Sequence, residues 1–267
     1  IWQSDFYSYR YFASEGFLPG YSFPRLPISA YIPARYTKNK DEFLSRPRFL
    51  AISEFGPRAI VYHEGSRYLI NKVVLSFEGD ELVTCQAKLC SSCGYLHPIT
   101  NGSGVDLCEK CKTPLIKILD KLFRLQNVST KRRDKINSDE EERIRQGYDI
   151  RTGIRFANYN GWPSCRTASI EHNGKVIAYF NYGQAATLWR INLGWARRKD
   201  KAKYGFVLDQ ERGYWDSEKN ETGNNDDSDA DNLSQRRLRV IPYVEDRRNS
   251  LIFQPGEPLD DSQMASL

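Results

Sequence analysis

Apolar residues in this chain mostly alternate with polar ones or fall in short β-branched and aromatic blocks, and a helical period is scarce. Residues 49–55 (Phe49-Leu50-Ala51-Ile52-Ser53-Glu54-Phe55) read as a strand that turns at Gly56-Pro57, followed by a second strand over 59–63. Glu64-Gly65-Ser66-Arg67 reads as a hairpin turn in which glycine supplies the left-handed residue, and strands follow over 68–77 and 82–89. Residues 115–128 fit either a helix or strands, with strand favoured for 123–128, and Ser129 to Lys135 reads as a basic turn. Over 138–146 the pattern predicts a short charged helix. Ser138 caps it, Glu141 closes a capping box, and acids sit at the positive end of the helix dipole. Strands return over 150–158, 169–172, 175–182, 186–195 and 204–208, with Asn173-Gly174 the strongest short hairpin signal. Two short strands, 240–244 and 251–253, flank the charged run Glu245-Asp246-Arg247-Arg248-Asn249.

Cysteine spacing adds chemistry to this β pattern. Cys90-Ser91-Ser92-Cys93 is followed, after fourteen intervening residues, by Cys108-Glu109-Lys110-Cys111. Zinc takes a tetrahedron of soft ligands, and a tight turn carrying two cysteines supplies two corners at once. Gly94 stands where such a turn needs positive φ, and Gly102 and Gly104 let the connecting loop reverse. Disulfides or redox pairs are the competing reading. No βαβ pattern surrounds the pairs, and nothing marks the chain as secreted. A zinc held by four thiolates has no open position, so it is structural and not catalytic. Cys85 and Cys165 are left over and read as small buried hydrophobes, with Cys85 a spare ligand only in an irregular ribbon. His97 lies near the first pair and could replace one cysteine.

Composition narrows the class. The chain has 267 residues, 40% hydrophobic and 13% aromatic, which excludes wholesale disorder. It starts at Ile1 and its single methionine is Met264, which predicts a piece of a longer protein. No run of eighteen apolar residues exists, so no membrane partner is expected, and cysteines at metal spacing suit a reducing cytoplasm. Residues 1–48 combine many aromatics with five prolines, which predicts an extended arm; Tyr7, Tyr9 and Tyr11 alternate as in a short strand. The expected fold is α+β, predominantly β, with mixed or antiparallel sheets and an inserted four-cysteine zinc ribbon. Its segments are the arm (1–48), a β-hairpin segment (49–84), the ribbon (85–116), a β-rich domain with a short helix near 138–146 (117–215), an acidic disordered loop (216–235) and C-terminal strands (236–267).

Net charge is only +5, but it is unevenly placed. From position 190 to 203 six basic residues face Asp200 alone, whereas from 209 to 231 nine acids face Arg212 and Lys219. Trp189-Arg190 and Trp195-Ala196-Arg197-Arg198-Lys199 form the best nucleic-acid candidate, because cations neutralise phosphates and an adjacent tryptophan can stack on a base. A strand with core tryptophans and a solvated charged loop explains the same residues equally well. Lys131-Arg132-Arg133 has the same two readings. There is no phosphate-binding glycine loop, no Gly-x-Ser-x-Gly and no His-Glu-x-x-His, so no active site is expected here.

Several motifs together resemble a known family. Ser22-Phe23-Pro24-Arg25-Leu26-Pro27, Phe43-Leu44-Ser45-Arg46-Pro47-Arg48, Ile52-Ser53-Glu54-Phe55-Gly56-Pro57, the knuckle Cys90-Ser91-Ser92-Cys93-Gly94-Tyr95 and Arg151-Thr152-Gly153-Ile154-Arg155-Phe156 look like the region after the motor domains of large bacterial superfamily 2 DEAD/DEAH-box helicases. The similarity is to MrfA-like DNA-repair helicases and to phage-defence relatives of the DISARM and Druantia kind. It implies that Cys90, Cys93, Cys108 and Cys111 bind zinc. It also implies a DNA-linked role beside motor domains of the same protein, where ATP and Mg2+ would act, and a possible partner subunit. The expected phosphate contacts are Arg132, Arg133, Arg190, Arg197 and Arg198. The alternative function is a protein-interaction scaffold with a structural zinc ribbon and no nucleic-acid contact.

Overall fold

The computed structural model describes residues 8, 11, 12, 17, 26–34, 41–78, 81–100, 102, 104–133, 147–159, 162–216 and 234–266. The helix expected over 138–146, Tyr7 and Tyr9, and nearly all of the acidic loop at 216–235 lie outside the described residues.

A five-stranded sheet is built from β1 (Ile28–Ile32), β2 (Glu42–Arg46), β3 (Ile60–His63), β4 (Ser66–Val73) and β10 (Val128–Arg133), in the order β2-β1-β10-β4-β3. β1 runs parallel to β10, with Ala30 opposite Val128, and the other neighbours are antiparallel. Although β2 and β3 are the two edges, Glu42 on one reaches His63 on the other at 2.7 Å, so the sheet is strongly curled. Within the segment expected as an extended arm, residues 28–32 and 42–46 are strands of this sheet: the prolines fall outside these strands, and Ile28, Ala30 and Ile32 are buried.

The segment expected as a strand at 49–55 is instead helix α1 (Arg48–Glu54). Pro47 caps it, and its carbonyl accepts from the backbone N–H groups of Leu50 and Ala51. Ala51, Ile52 and Phe55 then share an apolar face that packs into the main core. In a run this short the apolar positions fit either period. Fully burying a side chain such as Phe55 or Ile52 stabilises the fold by about 1.5–3 kcal/mol.

The segment between β4 and β10 carries the short strand pair β5 (Phe77–Glu78) and β6 (Glu81–Leu82), then β7 (Cys85–Leu89), β8 (Leu96–Ile99) and β9 (Ile118–Arg124). Residues 129–133, expected as part of a basic turn, belong instead to β10, because Val128 and Thr130 are buried against β1 and β4. Downstream come β11 (Tyr148–Arg155), the pair β12 (Asn158–Tyr159) and β13 (Trp162–Pro163), β14 (Arg166–His172), β15 (Lys175–Trp195), β16 (Phe206–Asp209), β17 (Arg237–Pro255) and the terminal helix α2 (Asp261–Ser266). The second, eight-stranded sheet has the order β11-β15-β17-β9-β7-β8, with β14 on β15 and β16 on β17.

Two of its strands are longer than their polarity suggests. β15 covers 21 residues and β17 covers 19; the expected breaks at 183–185 and 245–249 are absorbed within them. At the first, the register shifts between Gly183 and Ala186 and Ala185 takes φ 52°. At the second, the charges have partners: Trp189 Nε1 donates to Glu245, and Arg248 pairs with the buried Asp246.

One core joins α1, the curled sheet and one side of the second sheet through Phe123, Leu208, Trp215, Val240 and Val244. Alternation along β17 turns Ile241 to the opposite side, into a second core with Leu96, Leu119, Leu122 and Ile191. No helix among the described residues is long and apolar enough to cross a membrane.

Candidate metal centre

β7 ends at Leu89, Cys90 follows it directly, and the chain returns through Gly94 into β8. Cys90 N–H donates to the Tyr95 carbonyl at 3.0 Å, and Gly94 N–H donates to the Cys90 carbonyl at 3.0 Å. Eighteen positions later the same turn recurs: Cys108 N–H donates to Thr113 and Lys112 N–H to Cys108, both at 2.9 Å. The residue after each second cysteine is left-handed, Gly94 at φ 68° and Lys112 at φ 62°. Glycine meets that need without strain, whereas lysine takes it at a cost, so only the first knuckle advertises its shape.

The two knuckles bring all four sulfurs within 4.8 Å of one another. Cys90 Sγ lies 3.5 Å from Cys111 Sγ, and Cys93 Sγ lies 3.6 Å from Cys108 Sγ. Sulfurs bonded to one tetrahedral zinc at about 2.3 Å stand roughly 3.8 Å apart, whereas a disulfide needs about 2.05 Å. All six cysteines are free. The donor set and spacing fit a four-coordinate soft divalent metal. Burial pushes the Cys93 and Cys108 thiols above the usual range. Burial acts the same way on Cys111, but hydrogen bonds from Thr113, Cys90 and Cys93 outweigh it and hold that thiol down to about 6. Buried thiols crowded in this way become thiolates together only around a cation.

The cluster has a supporting shell that spacing alone did not reveal. Arg155, in β11, reaches Glu109 of the second knuckle at 3.1 Å, donates to the Leu96 carbonyl beyond the first, and lies 5.7 Å from the Tyr95 ring centroid. One guanidinium thus ties both knuckles together. Gly94 accepts from Ile154 N–H, which docks the first knuckle on β11. His97 is no ligand: it lies outside the sulfur cluster, buried against Tyr95 with ring centroids 5.2 Å apart. Burial lowers its pKa, which keeps the ring neutral. Cys85 is exposed rather than buried, with its sulfur 3.6 Å from the Tyr243 hydroxyl; Cys165 is half-buried beside the cluster.

Cys90 and Cys108 belong to a third apolar core, shared with Tyr95, Leu115, Phe156 and Ala186 and flanked by Cys165 and Ile252. Phe156 packs against Gly183, where any Cβ would overlap its ring. These residues form the base of a three-stranded wing made by β14 and the outer halves of β15 and β17. Across the wing, Ile170 stands beside Ala178 and Pro255, Ala168 beside Phe180 and Phe253, and Arg166 beside Tyr182 and Leu251. These rows share one face. Ile170 on it is 50% exposed and Leu251 61%, and Tyr182 and Phe253 are also open to solvent.

The arginines expected to meet phosphate fall on two different sheets. Arg132 and Arg133 end β10, Arg132 exposed and Arg133 opposite Arg67 of β4. Arg190, Arg197 and Arg198 lie on or just after β15. Arg198 is corrected from a surface contact to a structural one: it is 6% exposed and binds Asp149 at 3.1 Å and the Trp195 carbonyl. Arg190 donates to the Phe49 carbonyl at 2.7 Å, fastening β15 to α1. Trp195 stacks on Tyr148 at 4.8 Å inside the main core. Arg197 remains exposed, as do Lys199, Lys201 and Lys203.

No family model, curated protein or solved structure matches the chain.

Proposed function

We propose that this chain is a non-catalytic, zinc-organised accessory module of a DNA-processing helicase. The four thiolates hold a structural zinc in a ribbon formed by β7, β8 and β9, and the metal braces the wing against which nucleic acid is held. The helicase setting, in repair or phage defence, rests on the resemblance of the motifs. The observation that carries the binding role is the shared core: Cys90 and Cys108 pack with Phe156 and Ala186 beneath a wing that exposes Tyr182 and Phe253 on one face. Aromatic rings on a rigid sheet stack on bases, and Arg166, level with Tyr182, stands where a phosphate would lie. Arg197, beyond the other end of β15, and Arg132 and Arg133, on the five-stranded sheet, are separate candidate phosphate contacts, while ATP and Mg2+ act in motor domains outside this chain.

A second reading has a specific observation behind it. The wing face is as aliphatic as it is aromatic, and two of the five expected arginines are engaged internally. An exposed apolar face of this kind also suits a partner protein. Salt dependence separates the two. Binding of the metal-loaded chain to short single- and double-stranded DNA is measured at two salt concentrations, with Arg166→Ala, Tyr182→Ala and Arg197→Ala variants. The nucleic-acid reading expects affinity to fall steeply with salt, and each lost phosphate contact to reduce the logarithmic salt slope by about 1. No binding at low salt overturns it in favour of the docking scaffold.

A further inference from the structure

The curled sheet gathers a second set of ligand atoms, far in chemistry from the thiolates. Glu42 opens β2, His63 closes β3, and Glu64 is the first residue of the β3–β4 turn. His63 Nε2 meets Glu42 Oε2 at 2.7 Å, and one donor atom from each of the three residues lies within 4.8 Å of the other two. Two carboxylates held this close repel each other, and a bound cation would relieve that repulsion. Glu64 is also an unusual choice for its place. The equivalent turn at Asn173-Gly174 has φ 50° and 75°, with the asparagine such turns favour. Here Glu64-Gly65 takes φ 43° and 67°, with a longer acid at the left-handed position.

We propose that Glu42, His63 and Glu64 form a surface site for a borderline divalent cation of the zinc and cobalt class, clasping the two edges of the five-stranded sheet. The imidazole nitrogen selects against magnesium and calcium, which prefer oxygen alone. Three protein ligands leave a position for water, unlike the closed thiolate cluster. Nε2 is the ligating atom, because it is the nitrogen that already faces Glu42.

Cobalt(II) titration of the whole chain tests this, since only thiolates give sulfur-to-metal charge-transfer absorption. The expected result is two equivalents bound. The first brings charge-transfer bands; the second adds only weak ligand-field absorption and broadens the His63 ring resonances. His63→Ala and Glu42→Gln each lose the second equivalent and keep the first, with unchanged circular dichroism. Glu64→Gln, a milder change in an exposed turn, weakens the second equivalent. A single equivalent in the parent chain overturns the proposal, because the cluster is then an ordinary ion pair. So does a second equivalent that persists in both His63→Ala and Glu42→Gln.

Discussion

Phe156→Ala tests whether the metal cluster and the wing form one cooperative unit. The Phe156 ring is 3% exposed and lies between Tyr95, 6.4 Å away by ring centroids, and the backbone of Gly183. Truncating a buried phenylalanine costs about 3–5 kcal/mol, and the cost rises when the walls cannot close on the cavity. Here one wall is a β-strand held on both sides by β14 and β17, and another is the first knuckle. The upper half of that range is therefore expected, about 4–5 kcal/mol. Urea unfolding of metal-loaded protein, followed by tryptophan fluorescence and circular dichroism, reads the difference in midpoint and slope. If the cluster supports the same core, the penalty shrinks in a Cys93→Ser background, because the core is already loosened there. Contacting residues couple by about 0.5–3 kcal/mol. A cost below about 1 kcal/mol, or full additivity of the two changes, would falsify the bracing argument.

Three further outcomes follow from other contacts. Cys93→Ser should abolish metal retention in native mass spectrometry and lower the melting temperature, since structural zinc contributes folding free energy directly. Asp149→Ala leaves Arg198 buried without its carboxylate; the cost should be about 3 kcal/mol by chemical denaturation, the lower end for a broken buried pair because Asp149 is partly open to water. Asp209 gives a pH signature. Burial acts to raise its carboxyl, but hydrogen bonds from Ser234 and from the Arg212 and Glu211 backbones overcome this and hold it below the usual aspartate range. A depressed folded-state pKa stabilises at neutral pH, and the gain fades as pH drops below about 4. Asp209→Asn should flatten that acid limb of the stability profile. An unchanged limb would remove Asp209 as its source.

The four-cysteine cluster was largely legible in the sequence because one knuckle places two thiols by local geometry, and Gly94 marks its turn. Lys112, Arg155 and Phe156 were not legible. Lys112 adopts a conformation its residue type does not signal, and the other two serve the cluster from the end of β11 and the residue after it, 44 and 45 positions beyond Cys111, only once β11 is paired. Hairpins at Glu64-Gly65 and Asn173-Gly174 were readable for the same local reason. The parallel pairing of β1 with β10, and the continuity of β17 through Glu245-Asp246, depend on partners far along the chain. Short-range polarity mistook those charges for a loop. The basic–aromatic run left two readings open, and at Trp195 and Arg198 the packing one applies: they spend their rings and donors on Tyr148 and Asp149.

The most direct test of a metal-braced wing is amide hydrogen exchange, with and without a zinc chelator, on protein whose metal content has been measured. The account predicts about one tightly held zinc per chain at the thiolates. On its removal, protection should fall in the knuckles and in the wing segments of β14, β15 and β17 together, while β1, β4 and β10 stay protected. A wing that keeps full protection after the thiolate zinc has left would contradict it.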